Sequence, residues 1–326
     1  MVKAAKLSQL FFAPFSVFAF NHLKVLIMTR LLLVVLTVLL TACASHEGVN
    51  TSTSAATTQH LNRLGEETAV ALTERYNNPV SACRPHNPSA AFECSGVIIR
   101  GTSPSTQYHA WNPNPSGTGV SFSYLRKDII ITDFYIYKNG FIFYPRLLAP
   151  EGKVSVSILC FFPRDGATVV REDQGCGQSP NRPTSRECQE QGINTAERWV
   201  EHYNQYGSYS DMCGFNVREA LGENATIAFA EGLKAQRLIF NPLIDSYNEL
   251  RIAKWDQDIG DVLPLQAFFY LDSSGKAGAQ YDQQDFLKET GILVPIILIT
   301  LPATEADQAT FQFIPEDQAP SLHTQR

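Results

Sequence analysis

The chain has 326 residues, a formal net charge of −6 at pH 7 and seven cysteines. An acidic chain without a clustered Lys/Arg run argues against nucleic-acid binding. No stretch after residue 42 is long and apolar enough to span a bilayer.

Arg30 precedes the apolar run Leu31 to Leu40, and small residues lead into Cys43. A positive start, a short apolar core and a small-residue cleavage site describe a secretory signal. With a cysteine at the cleavage point, Leu40-Thr41-Ala42-Cys43 resembles a bacterial lipoprotein lipobox. Residues 1–42 are therefore expected to be a signal region, with Met28 as a candidate true start and Cys43 as the lipidated residue. Residues 43–60 read as a lipidated cysteine and a small, polar, flexible tether. Removing residues 1–42, which hold Lys3, Lys6, Lys24 and Arg30 and no acid, deepens the charge from −6 to −10. The expected location is the cell envelope, anchored by lipid, with Ala44 favouring the outer membrane.

Leu61, Leu64, Val70, Leu72 and Tyr76 recur at helical spacing and predict an opening helix. From Gly96 the pattern turns to β structure, with strands at Val97 to Arg100 and Val120 to Leu125. Asp128 to Lys138 and Phe141 to Tyr144 flank Asn139-Gly140, which predicts a hairpin turn there. Lys153 to Phe162 reads as another strand, and Arg164 to Arg186 as a long loop. Asn194 or Thr195 is placed to cap a helix from Ala196, and a second helix is expected over Asn224 to Ile239. Late strands are predicted at Glu249 to Lys254, Gln266 to Leu271 and Ile292 to Leu301, the last with Pro295 forcing an edge position or a late start. A short helix is expected over Asp282 to Lys288, and a frayed polar tail from 303 to 326. Strands interrupted by helices predict one α+β domain over 61–302, with a mixed, mostly antiparallel sheet and flanking helices.

Setting Cys43 aside leaves Cys83, Cys94, Cys160, Cys176, Cys188 and Cys213, an even number that suits three disulfides in an exported protein. Nearest-neighbour pairing (Cys83–Cys94, Cys160–Cys176, Cys188–Cys213) is the expectation. No CxxC or HxxxH pair is present, so neither a metal nor another cofactor is expected. His60, His86, His109 and His202 show no ligand spacing. GxSxG, Walker A and HExxH signatures are absent.

Three short elements remain. Val97-Ile98-Ile99-Arg100 is a strand ending on arginine, Ser121-Phe122-Ser123 places two hydroxyls on one strand face, and Tyr247-Asn248-Glu249 leads a glutamate into an apolar strand. Each residue has an ordinary alternative as a surface ion pair, a solvent-facing strand or an exposed acid. Their order resembles the ADP-ribosyltransferase superfamily, with an arginine strand, a Ser-Thr-Ser strand and a late glutamate strand. The resemblance implies that Arg100 holds NAD phosphates or the nicotinamide ribose, that Ser121 and Ser123 support the site, and that Glu249 stabilises the reacting ribose. Tyr108 and Trp111 are candidates to stack on nicotinamide or adenine, with Asn112 as a polar contact. Phe122 departs from the middle Thr, and Tyr247 stands where protein-modifying transferases carry Gln or Glu. That second departure favours transfer to water over transfer to a protein.

A longer stretch, from Leu72 to about Leu301, resembles the halovibrin family of secreted bacterial proteins. The matching segments are 92–102, 119–126, Asn139-Gly140-Phe141-Ile142-Phe143, Phe162-Pro163, Gly175-Cys176-Gly177 and Asn248-Glu249-Leu250-Arg251. This resemblance implies NAD glycohydrolase or ADP-ribosyltransferase activity with NAD as substrate. The lipobox departs from a freely secreted protein. The leading expectation is thus an envelope lipoprotein that hydrolyses NAD. A non-enzymatic lipoprotein binding a partner or ligand is the alternative, and a protein-directed ADP-ribosyltransferase is the third reading.

Overall fold

The computed structural model describes residues 50–78, 92, 95–102, 119–134, 137–143, 158–166, 168–178, 183–206, 213–217, 225–239, 247–253, 265–304 and 306–319. The signal region, Cys43, Cys83, Cys94, Tyr108, Trp111 and Asn112 lie outside the described residues, as does the Cys83–Cys94 pairing. The chain divides into a unit ending at Ala55 and a unit from Ala56 to Gln325, and the architecture below belongs to the second.

Helix α1 (Asn50–Asn77) opens the described chain, so the tether expected up to residue 60 is helical from Asn50. Its buried face, Leu61, Gly65, Thr68, Leu72, Arg75 and Tyr76, follows the three-and-four spacing of a helix stripe. Val70 falls off that stripe and is exposed. No helix among the described residues is long and apolar enough to cross a membrane.

Among the described residues nine strands form one sheet in the order β5-β4-β6-β2-β1-β3-β7-β8-β9. They are β1 (Val97–Thr102), β2 (Val120–Leu125), β3 (Asn139–Phe143), β4 (Ile158–Phe162) and β5 (Phe215–Asn216). β6 (Glu249–Ile252), β7 (Leu265–Tyr270), β8 (Ile296–Thr300) and β9 (Thr310–Phe313) complete it. Every pairing is antiparallel except β7 with β8, which α5 (Ser273–Thr290) joins. This is the expected α+β class. α2 (Ser185–Glu190), α3 (Ala196–Tyr206) and α4 (Ala225–Leu238) are the remaining helices among the described residues.

Several expectations need correction. Asn139-Gly140 is not a turn, because both residues lie inside β3, paired to β1 on one side and β7 on the other. A type I′ turn needs positive φ at both central residues, and neither has it. Gly140 instead permits close approach between strands. A Cβ there would lie 1.9 Å from the Arg100 carbonyl oxygen, inside contact distance. The predicted strand over 128–138 is absent from its described residues, 128–134 and 137–138. The helix expected at Asp282 to Lys288 is the 18-residue α5, started by Asp272 accepting from the Ser274 N–H at 2.8 Å. The polar tail is ordered enough to supply β9, followed by a short turn carrying buried Asp317, Gln318 and Ala319. Pro295 ends just before β8, which accords with a late start.

Two apolar clusters flank this sheet. The larger gathers α1, the central strands, α4 and α5 around Phe92, Phe122, Phe141, Phe143, Phe229 and Phe268. The smaller surrounds Trp199, whose indole N–H donates to the Cys213 carbonyl at 2.6 Å. Disulfides Cys160–Cys176 and Cys188–Cys213 form within it, as the nearest-neighbour pairing expects.

α5 lies on β3 through small residues, and there Asp282 accepts from Thr102 Oγ1 and Asn139 Nδ2, each at 3.3 Å. Burial, opposed by these two hydrogen bonds, pushes the Asp282 carboxyl up to about 6. The folded state thus holds its proton more tightly than the unfolded chain. Stability from this group is present at low pH and is lost as pH rises through about 6. Asp282→Asn is expected to gain on the parent by about 1–2 kcal/mol between pH 4 and pH 7, after discounting for partial exposure. Thermal melts at the two pH values check it. Removing the Cys160–Cys176 bridge, which spans 16 residues, with paired alanines is expected to cost about 3 kcal/mol. Melting under oxidising conditions should then drop by roughly 6–12 °C.

Candidate functional site

β6, β2 and β1 are consecutive neighbours in the sheet, and this order brings Glu249, Ser121 and Arg100 together. Their nearness is a product of topology, since Ser121 and Glu249 are 128 residues apart in sequence. The β2–β6 ladder sets Ser121 opposite Arg251 and Phe122 opposite Leu250. Asn248 locks the start of β6, its Oδ1 accepting from the Tyr124 N–H at 2.8 Å and its Nδ2 donating to the Tyr124 carbonyl at 2.9 Å. Ser123 adds to this lock, because its hydroxyl donates to the Asn248 carbonyl at 3.1 Å. Its role is therefore to hold the strand that carries Glu249.

Glu249 is 4% exposed. A buried carboxylate needs donors, and three groups supply hydrogen bonds while a fourth supplies a cation. Ser121 Oγ and Thr168 Oγ1 both donate to Oε1. The Gly166 N–H donates to Oε2 at 2.9 Å, and Arg251 Nη1 stands 3.6 Å from Oε1. Burial pushes the Glu249 acid above the ordinary glutamate range, while Arg251 and the two hydroxyls oppose that rise. Nearby Asp165 adds to it. Tyr247 holds Asp165, donating its hydroxyl to Oδ2 at 2.8 Å.

The β1–β2 pairing runs from Val97↔Leu125 to Ile99↔Ser123. Just beyond it the Arg100 guanidinium donates from Nη1 to the Ser121 carbonyl at 2.7 Å. The cation also lies 6.0 Å from the Phe122 ring centroid, within range of a cation–π contact. Phe122 packs edge-on against Phe141 and Phe143. The residue that departs from the Ser-Thr-Ser pattern therefore fills core space and supports the arginine. Burial first, and then the neighbouring Arg251, lower the Arg100 guanidinium to about 10.

Sequence reading missed Arg251, Thr168 and Gly166. Arg251 was accessible from the pattern, since alternate strand residues share a face with Glu249. Thr168 and Gly166 carry no local signal. They come from the connector between β4 and α2, which two turns (Thr168–Val170 and Asp173–Gly175) fold back over β6. Arg251 fastens that connector by donating to the Gln174 carbonyl from Nε at 3.0 Å and Nη2 at 2.8 Å. Nη2 also donates to the Gly119 carbonyl. Asp173, Gln174 and Gly175 all take positive φ, which presents that carbonyl to the arginine. Gly175 is required twice over: its φ is +99°, and a Cβ would lie 2.3 Å from Arg251 Nε.

A cavity of about 160 Å³ lies elsewhere, among Gln189, Asn194, Phe215, Asn216 and Ile227. None of the sequence-predicted site residues lines it. Among the described residues, no group of three His, Cys, Asp or Glu is placed to hold a metal ion.

Arg251→Met should be strongly destabilising, by about 3–5 kcal/mol, because it leaves the Glu249 charge buried without its cation. It also frees the Gln174 carbonyl. Urea unfolding at pH 7 measures the loss, and Glu249→Gln in the same background should recover part of it. Compared with known proteins, the chain matches no protein-family model, no curated protein and no solved structure.

Proposed function

We propose that this chain is an exported, lipid-anchored protein that hydrolyses the nicotinamide–ribose bond of NAD. The observation that carries the reading is the convergence of Arg100, Ser121 and Glu249 on three adjacent strands, with the Ser121 hydroxyl on the Glu249 carboxylate. Cleaving that bond passes through an oxocarbenium-like state, as glycoside cleavage does. A positioned carboxylate stabilises the developing positive charge, most strongly where water is excluded. The burial of Glu249 and its hydrogen bonds support that role for it.

Nicotinamide is already a good leaving group, so no strong general acid is required. Arg100 commits one donor to the Ser121 carbonyl, and a guanidinium fork has further donors that suit pyrophosphate oxygens. Tyr247 engages Asp165 beside Glu249. This position therefore offers an aromatic ring, not the Gln or Glu of protein-modifying transferases, which supports water as the acceptor. Two disulfides fit an extracytoplasmic compartment. Lipidation at Cys43 and membrane attachment through it belong to the same proposal.

The test is nicotinamide release from NAD by the full chain, purified in detergent with its disulfides intact. Glu249→Gln is expected to lower the rate by about 100-fold or more, with free ADP-ribose as the second product of the parent. Labelled ADP-ribose appearing on a protein would favour the transferase. Absence of release from a folded, oxidised sample would leave the partner-binding lipoprotein as the better account.

A further inference from the structure

We infer that Thr168, held by the β4–α2 connector, is a positioning residue that aims the Glu249 carboxylate at substrate. The inference extends the NAD reading where it concerns rate, and rests on geometry alone where it concerns the carboxylate itself.

The hydrogen bonds divide unequally between the two carboxylate oxygens. Oε1 accepts from both hydroxyls, Ser121 of the sheet and Thr168 of the connector, and it is also the oxygen nearest Arg251. Two donors fill the two lone pairs of that oxygen. Among the described residues Oε2 accepts only the Gly166 N–H. Oε2 is therefore the oxygen with acceptor capacity left for a ribose hydroxyl or for the developing cation. Thr168 decides this division, because without it Oε1 regains an open position and the carboxylate loses its preferred rotation.

The connector is built to keep Thr168 in place. Cys160–Cys176 ties it to β4, and Arg251 ties it to β6 through the Gln174 carbonyl. Arg171, lying over the Phe162 ring, bonds the carbonyls of Gly166 at 2.9 Å and Pro183 at 2.8 Å. The Glu172 N–H closes the connector on the Gln178 carbonyl at 2.7 Å. Four separate ties thus hold the short segment that supplies two of the three hydrogen bonds to Glu249.

The charged and titratable groups facing Glu249 are Arg251 on its own strand, Arg100 from β1 and Asp165 from the connector, the last bonded to Tyr247. Donors to the charged form hold a carboxylate's titration down. Loss of the Thr168 hydroxyl must therefore raise it.

The experiment compares Thr168→Val and Thr168→Ser with the parent full chain. Glu249 is titrated by carbon-13 carboxyl NMR, its signal assigned through Glu249→Gln, and NAD cleavage is followed from pH 4 to 9. Thr168→Val is expected to raise the Glu249 midpoint by about one unit and to move the acidic limb of kcat with it. Its kcat should fall about 10-fold with KM within about twofold, as for an interaction that matters mainly in the transition state. Thr168→Ser should restore both. The Cys160→Ala/Cys176→Ala pair, which loosens the connector without touching Thr168, should move the midpoint in the same direction. A midpoint unchanged in both Thr168→Val and the double alanine variant would overturn the inference, whatever happens to melting temperature. If the parent releases no nicotinamide, the NAD reading falls, and the carboxylate titration still decides whether the connector aims Glu249.

Discussion

A carboxylate buried between strands and a covering loop must be met by donors and a cation, or its charge cannot be kept there. Glu249 meets that demand with a hydroxyl from β2, a hydroxyl and an N–H from the connector, and a guanidinium from its own strand. Much of the surrounding architecture follows from this. β6 must lie beside β2, the connector must return across β6, and a cation must stand nearby to offset the burial. Arg251 meets the last need and also clamps the connector, so the same side chain compensates the charge and fixes its other donors.

The second arginine is arranged differently. Arg100 sits where the β1–β2 pairing ends, and it takes up the Ser121 carbonyl with its side chain. Two cations close together repel, and Arg100 is shifted down by Arg251 as well as by burial. The two cations and the buried acid thus form one electrostatic arrangement, in which Arg251 acts on both Glu249 and Arg100.

The sheet was legible wherever burial alone set the pattern. Val120 to Leu125 reads as a strand and is one, and the apolar runs at β1, β6 and β7 lie within two residues of expectation. Arg100, Ser121 and Glu249 were legible because each sits on such a strand. Asn139-Gly140 misled because the same dipeptide serves a tight turn and a crowded strand crossing, and only the neighbour across the ladder distinguishes them. β9 was hidden by its own polarity, since an edge strand with two outward residues looks like a tail. Thr168 and Gly166 were hidden for a deeper reason. A loop residue acquires its role from what the loop folds onto, and no periodicity records that.

β9 has a further bearing on how the chain reaches this state. The Ala309 N–H donates to the Tyr76 hydroxyl across 233 residues, and Phe313 packs into the space left by Gly65. Phe311 meets the ring of Tyr76 at 5.7 Å. α1 is made early, yet its apolar stripe is covered by β9, far along the chain. Closing so long a loop is entropically slow. A chain emerging from its amino end therefore carries an uncovered stripe until residue 313 is free. Covering of the α1 stripe is thus coupled to the appearance of β9, and removing β9 would act on the amino-terminal helix.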